Sequence, residues 1–458
     1  MNMNLKPKHL FLAIVTTALI SCIITASVLS STTTSTFYIS GGVYPGAPSF
    51  TIWTESGSIF SKDKNGLIVF SSTNASYVIQ SSIDELPSNE HGYLAGIVHI
   101  NAGQYLIDTT LTIQNPNIIL EGEGRATEFK LDSTSLDYMI KIVSNRLPPE
   151  YTYTHGVQIK NILFWYDTSI STYTIYFHNN INLIWFPIVE NIWTINLNGI
   201  LTDSDAYGEF EAVLYPIFTG IYMIDPPNCG FNLTNVVDLR LEKTLIYSAA
   251  QKNGTLGIYL NSTITSGAII SQAEIIRQGK SLYLSCSADA KITNSYFDLN
   301  NDTYAILLEN SDRVELTDVY IHAPYGAGLL LTGSTERTHG YAISARACLY
   351  GIVDNATSGG HANEFYSTDM TGTSNWWTLS STDRVFGAGY QNSGVAAMSG
   401  STVVVTHYLY STPTSVGVTC AIDNTIHFSV TTVGATTFTI TASSSFTGNI
   451  YWSGEYKP

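Results

Sequence analysis

The sequence predicts an all-β chain. A right-handed parallel β-helix with an N-terminal capping helix is followed by a small C-terminal antiparallel β-sandwich, with an apolar leader helix ahead of both. Two observations carry this. The segments GIYLNSTITSG, SLYLSCSADA, AILLENSDRV, GLLLTGSTER and GIVDNATSGG repeat between Gly257 and Gly372, with apolar triplets led by Ile258, Leu282, Ile306, Leu329 and Ile352, so successive steps are 24, 24, 23 and 23 residues. That is the periodicity of a solenoid. The second is strict alternation with short turns over the last sixty residues, including TTFTIT and IYWS.

Leu-Tyr-Leu, Ile-Leu-Leu and Leu-Leu-Leu sit between Asn, Asp, Ser and Gly and are too short for helices, which makes them strands. A coil of this kind buries its inward side chains only by stacking on the next one, at roughly 4.8 Å per step. The L-x-x-L-x-L-x-x-N pattern of a leucine-rich repeat is absent.

Only 12% of the 458 residues are charged, while 29 are tyrosine, a balance suited to strand-rich extracellular surfaces. The net charge of −16 argues against a nucleic-acid partner, because phosphate binding needs clustered Lys and Arg. The low charge also fits an acidic medium, where ion pairs help little. Lys6 and Lys8 precede an apolar stretch from Leu10 to Leu29, long enough to span a bilayer and long for a cleaved signal. A signal peptide or membrane anchor over 1–30 is therefore expected, with the anchor favoured and the remainder outside. The five cysteines are scattered without a C-x-x-C pair, so neither zinc nor a disulfide framework is signalled. Sequons begin at Asn74, Asn232, Asn253, Asn261, Asn301 and Asn355, consistent with an exported glycoprotein.

Between residues 65 and 132, Ala75, Val78, Ile79, Ser82, Ile83 and Leu86 recur at three and four. Asn74 stands ready as N-cap and Pro87 as the stop, so a short amphipathic helix is predicted to plug the solenoid's open end. GIVHINAGQYLI, LTIQ and NIILEGEG follow as strands. This order of helix, G-x-V-x-I-x-x-G-x-Y-x-I, then N-I-x-L-x-G-E-G-x-A-T resembles the entry to the pectin-lyase-like β-helix superfamily, over roughly residues 60 to 372. The resemblance implies a fold of the tailspike or surface-adhesin kind and leaves activity open. The paired Asp-Asp of polygalacturonase-like hydrolases does not occur in this sequence.

Equal periods place equivalent positions above one another. Sixteen residues beyond Ile258, Leu282 and Ile306 lie Glu274, Asp298 and His322; fourteen beyond lie Gln272, Tyr296 and Tyr320. By strand alternation these polar positions point outward. An acid-acid-imidazole column is thus expected beside a Gln-Tyr-Tyr column. Two carboxyls one rung apart split their pKa values and supply an acid beside a base, near the separation of retaining glycosidases. Tyrosine faces suit sugar rings. Glu274, Asp298 and His322 are accordingly the catalytic candidates, and Gln272, Tyr296 and Tyr320 the glycan-binding ones. In the insertion at 201–218, Asp203, Asp205, Glu209 and Glu211 form an oxygen-ligand set suited to Ca²⁺, the one cofactor considered, with a solvated loop as the plainer account.

The C-terminal run T-H-Y-L-Y-S-T-P-T resembles modules of viral tail fibres and tailspikes, which implies a homotrimer. The expected organisation is a leader at 1–30, a linker and entry segment at 31–64, the β-helix at 65–375, a cap and connector at 376–400 and the sandwich at 401–458. The expected function is an extracellular glycan-recognising spike, a virion attachment protein or a cell-surface adhesin. A secreted polysaccharide-degrading hydrolase or lyase, and a purely structural surface protein, are the alternatives.

Overall fold

The computed structural model describes residues 47–458 except 88–93, 145–153, 180–182, 205–211, 263–266, 287–288, 358–360, 379–383, 387–390, 408, 410–411, 421–425 and 456–458. The expected leader, residues 1–30, lies outside the described residues. Among the described residues no helix is long and apolar enough to cross a membrane.

Three parallel ladders wind the chain into a β-solenoid of about ten turns. The first climbs through Gly96–Ile100, Ile217–Ile224, Leu239–Tyr247, Ala268–Ile276, Ala290–Asp298 and Glu315–Ile321 to Arg384–Phe386. A second runs through Tyr138–Ser144, Leu256–Ser262, Lys280–Cys286, Tyr304–Glu309 and Ala327–Thr332 to Asn375–Thr378. A short third joins Thr154–His155, Ile184–Trp185, Val213–Leu214 and Val236–Val237. The repeat register read from sequence is real on the second ladder: Ile258 pairs Leu282, Leu282 pairs Ile306, Ile306 pairs Leu329 and Leu329 pairs Ile352.

Stacking explains the core. Ile275, Phe297 and Ile321 follow one another inward with no exposed surface, and Phe177, Phe218 and Phe231 stack at 5.8 and 6.2 Å. Each such side chain contributes about 1.5–3 kcal/mol by leaving water. One apolar cluster extends from Phe50 to Met370.

The chain turns corners by left-handed residues. Asn161, Asn191, Gly220, Lys243, Gln272, Asn294 and Asp318 all hold φ between 49° and 66° and divide each first-ladder strand into two flat halves. Asn tolerates this conformation through local hydrogen bonding, and Gly carries no Cβ to clash. At Gly220 a Cβ would sit 2.5 Å from Asn191 Oδ1.

Helix α1, Ala75–Asp84, forms where the periodicity placed it. Asn74 Oδ1 accepts from Tyr77 N at 2.8 Å, and Val78, Ile79 and Ile83 are buried against the first strands. The entry segment is more ordered than a linker: Phe50–Glu55, Ser58–Asp63 and Ile68–Ser72 make an antiparallel meander, and the first of these strands also pairs in parallel with Gly96–Ile100.

The C-terminal region departs from expectation. Gln391–Thr406, Ser415–Cys420, Phe428–Val433 and Thr437–Glu455 form a single antiparallel sheet rather than a two-sheet sandwich. The last strand is 19 residues long and pairs with all three others, so its length does the work expected of a second sheet. Phe438, Ile440, Ile450 and Trp452 bury one face of it. The span read as cap and connector carries the last ladder strands and the start of this sheet.

Candidate functional site

Past the left-handed corner, the outward column of the first ladder reads Trp193, Tyr222, Leu245, Glu274, Tyr296 and Tyr320, each in parallel register with the next. Five rungs at about 4.8 Å span roughly 24 Å. Trp193 and Tyr222 stack at 5.7 Å and 8°, and Tyr296 and Tyr320 at 4.5 Å and 8°. Between the two aromatic pairs opens a cleft of about 540 Å³ lined by Tyr222, Lys243, Thr244, Leu245, Gln272, Glu274, Asn294 and Tyr296.

The predicted columns are partly rearranged. Glu274 stands opposite Tyr296, and Ile276 stands opposite Asp298, so Glu274 and Asp298 do not share a column. Gln272 is not in line with Tyr296; it occupies the corner one coil below Asn294. Loop length is the cause. Five residues, 263–267, separate the second-ladder strand ending at Ser262 from the strand starting at Ala268, whereas only three, 287–289, separate Cys286 from Ala290. Counting from Ile258 therefore overruns by two in the following coil.

From Asp298 onward the count holds, and the structure brings four predicted residues together. Asp298 Oδ1 lies 2.7 Å from His322 Nδ1, and Tyr296 Oη donates to Asp298 Oδ2 at 3.1 Å. Burial, reinforced by that bond and by the Asp298 charge, pushes the Tyr296 phenol up to about 12. The Tyr320 phenol is also raised, first by burial and then by the Asp298 charge. Below this group, fully buried Asn300 donates from Nδ2 to the His322 carbonyl at 3.2 Å and binds Ser281 Oγ, fixing the backbone that presents the imidazole.

Glu274 and Lys243 are exposed in the cleft and make no ion pair there. An unpaired carboxylate, an unpaired ammonium and two amides, Gln272 and Asn294, thus face one open space flanked by rings. Such a surface can hydrogen-bond hydroxyl-rich ligands while the rings cover their apolar faces.

Of the calcium candidates, Asp205, Glu209 and Glu211 lie outside the described residues. Asp203 accepts from Tyr176 Oη and sits 3.1 Å from His178 Nδ1. Among the described residues no group of three metal-ligating side chains converges. Sequence reasoning missed this second cluster, in which Tyr138 stacks on Tyr176 at 4.3 Å and Lys141 lies over both rings. It also missed Trp193, Tyr222, Lys243 and Asn294. The signal was present as register, but steps of 29, 23, 29, 22 and 24 residues along the column hide it from a fixed count.

No family model matches the chain, and no curated protein matches it. Solved structures do. A tailspike double mutant of E. coli bacteriophage HK620, in complex with a pentasaccharide, is similar with a TM-score of 0.49 at 12% identity, over 87% of this chain and 92% of that one. The A-module of a mannuronan C-5 epimerase of Azotobacter vinelandii gives 0.47 at 16% identity, over 69% and 96%. A Geobacillus virus E2 protein gives 0.43 at 14%, over 88% and 86%.

Proposed function

We propose that the protein is an extracellular glycan-recognising spike, a virion attachment protein or cell-surface adhesin, and that the cleft between Tyr222 and Tyr296 holds the glycan. The observation that carries this is the pairing of two stacked aromatic couples, Trp193–Tyr222 and Tyr296–Tyr320, at the two ends of a polar cleft three rungs long. Three rungs are roughly 14 Å, room for a short run of sugar rings laid along the solenoid axis. The leader and the glycosylation sequons support display outside the cell, and the C-terminal module supports assembly as a homotrimer. Chain cleavage by paired carboxylates finds less support, because Glu274 and Asp298 stand in different columns.

The test is retention of the full chain in gels or columns loaded with host cell-wall and exopolysaccharides. Retention without new reducing ends is expected. Full affinity after both Tyr296→Ala and Tyr320→Ala would place the binding face elsewhere.

A further inference from the structure

Resting on that reading of the cleft, we propose that the Asp298–His322 pair hydrolyses acyl esters on the glycan bound there. Both oxygens of Asp298 are committed, Oδ1 to His322 Nδ1 at 2.7 Å and Oδ2 to the Tyr296 phenol at 3.1 Å. A carboxylate that accepts two hydrogen bonds is a poor proton donor to a leaving group, and it is not free to act as nucleophile. Its effect falls on the imidazole: the Nδ1 proton points at the carboxylate, which leaves Nε2 as the unprotonated nitrogen. Among the described residues Nε2 has no partner, and the His322 side chain is 22% exposed. The result is a base with a fixed tautomer and orientation, joined through Tyr296 to the end of the cleft.

Such a base suits a carbonyl electrophile better than a glycosidic bond, which needs an acid on the leaving oxygen from the start. Nε2 takes a proton from water as the water oxygen bonds to the acyl carbon. The tetrahedral intermediate then collapses, the acyl carbon–sugar oxygen bond breaks, and the imidazolium returns its proton to the sugar oxygen. One water is consumed, and a carboxylic acid and a free sugar hydroxyl are released, with no oxidant or metal required. His322 is the catalytic residue and Asp298 a positioning residue.

A built-in control exists. His178 and Asp203 repeat the Tyr–Asp–His grouping on the second ladder, away from the cleft.

The experiment measures p-nitrophenyl acetate hydrolysis by the full chain and by His322→Gln, Asp298→Asn, Asp298→Glu and His178→Gln, with far-UV circular dichroism as the fold check. Acid release from an O-acetylated exopolysaccharide, and retention of its alkali-deacetylated form, are measured alongside. His322→Gln is expected to lose about 10²–10⁴-fold in rate. Asp298→Asn should lower kcat at constant KM, with partial recovery in Asp298→Glu, while His178→Gln matches the parent. Acid release should leave chain length unchanged. A folded His322→Gln protein within about twofold of the parent on the aryl ester overturns the proposal, since general-base catalysis is worth far more. Retention without any ester turnover sinks this inference and spares the glycan reading; aryl-ester turnover that depends on His322, without retention, sinks the glycan reading and spares the imidazole.

Discussion

Glu274 faces Tyr296 across one rung of the first ladder, and this pairing, rather than one with Asp298, sets the chemistry of the cleft. It leaves a single exposed carboxylate on the cleft floor and gives Asp298 to His322 and Tyr296.

The aromatic ends of the cleft are expected to act independently. Tyr222→Ala and Tyr296→Ala should each weaken glycan binding about 3- to 10-fold, the worth of one ring contact, and the double variant should lose roughly the product because the two lie three rungs apart. Isothermal titration of both singles and the double checks this. Strong coupling between them would argue against two separate ring contacts.

Asn300 is a structural support for the site. Asn300→Ala removes its links to Ser281 and the His322 carbonyl inside the solenoid and is expected to cost about 1–3 kcal/mol, seen as a lower urea midpoint. An unchanged midpoint would mean the coil closes without it.

The corner column predicts a sign change between neighbours. Gly220→Ala places a Cβ 2.5 Å from Asn191 Oδ1 at a φ of 66° and should destabilise the fold by about 1–2 kcal/mol. Lys243→Gly, one coil on at a φ of 51°, relieves a left-handed L-residue and should be neutral or stabilising despite its added unfolded-state freedom. Thermal melts of the two variants distinguish them.

Alkaline titration offers a fourth test. Because the Tyr296 phenol ionises at about 12 when folded and near 10 when unfolded, it contributes stability that is complete below pH 10. That contribution is lost as pH rises toward 12. Phenolate absorbance in the parent and in Tyr296→Phe should differ in the upper part of this window; identical curves would mean the phenol is not held by Asp298.

Much of this was legible beforehand. The apolar triplets at Ile258, Leu282, Ile306 and Leu329 stack as counted, because inward positions tolerate no slip: one residue would turn every core side chain into water. Helix α1 was readable from Asn74, its apolar spacing and Pro87, all local signals. Tyr296, Tyr320, Asp298 and His322 were readable because the coils that carry them keep one length.

What the chain order alone determined, then, is the winding and the set of outward residues, since both follow from strand alternation and an invariant core step. Only the tertiary structure decided which outward residues meet. Loops outside the ladders change length without disturbing the core, and a two-residue difference beside Ala268 was enough to move Glu274 from Asp298 to Tyr296 and to hide Trp193 and Tyr222 at the far end of the same cleft.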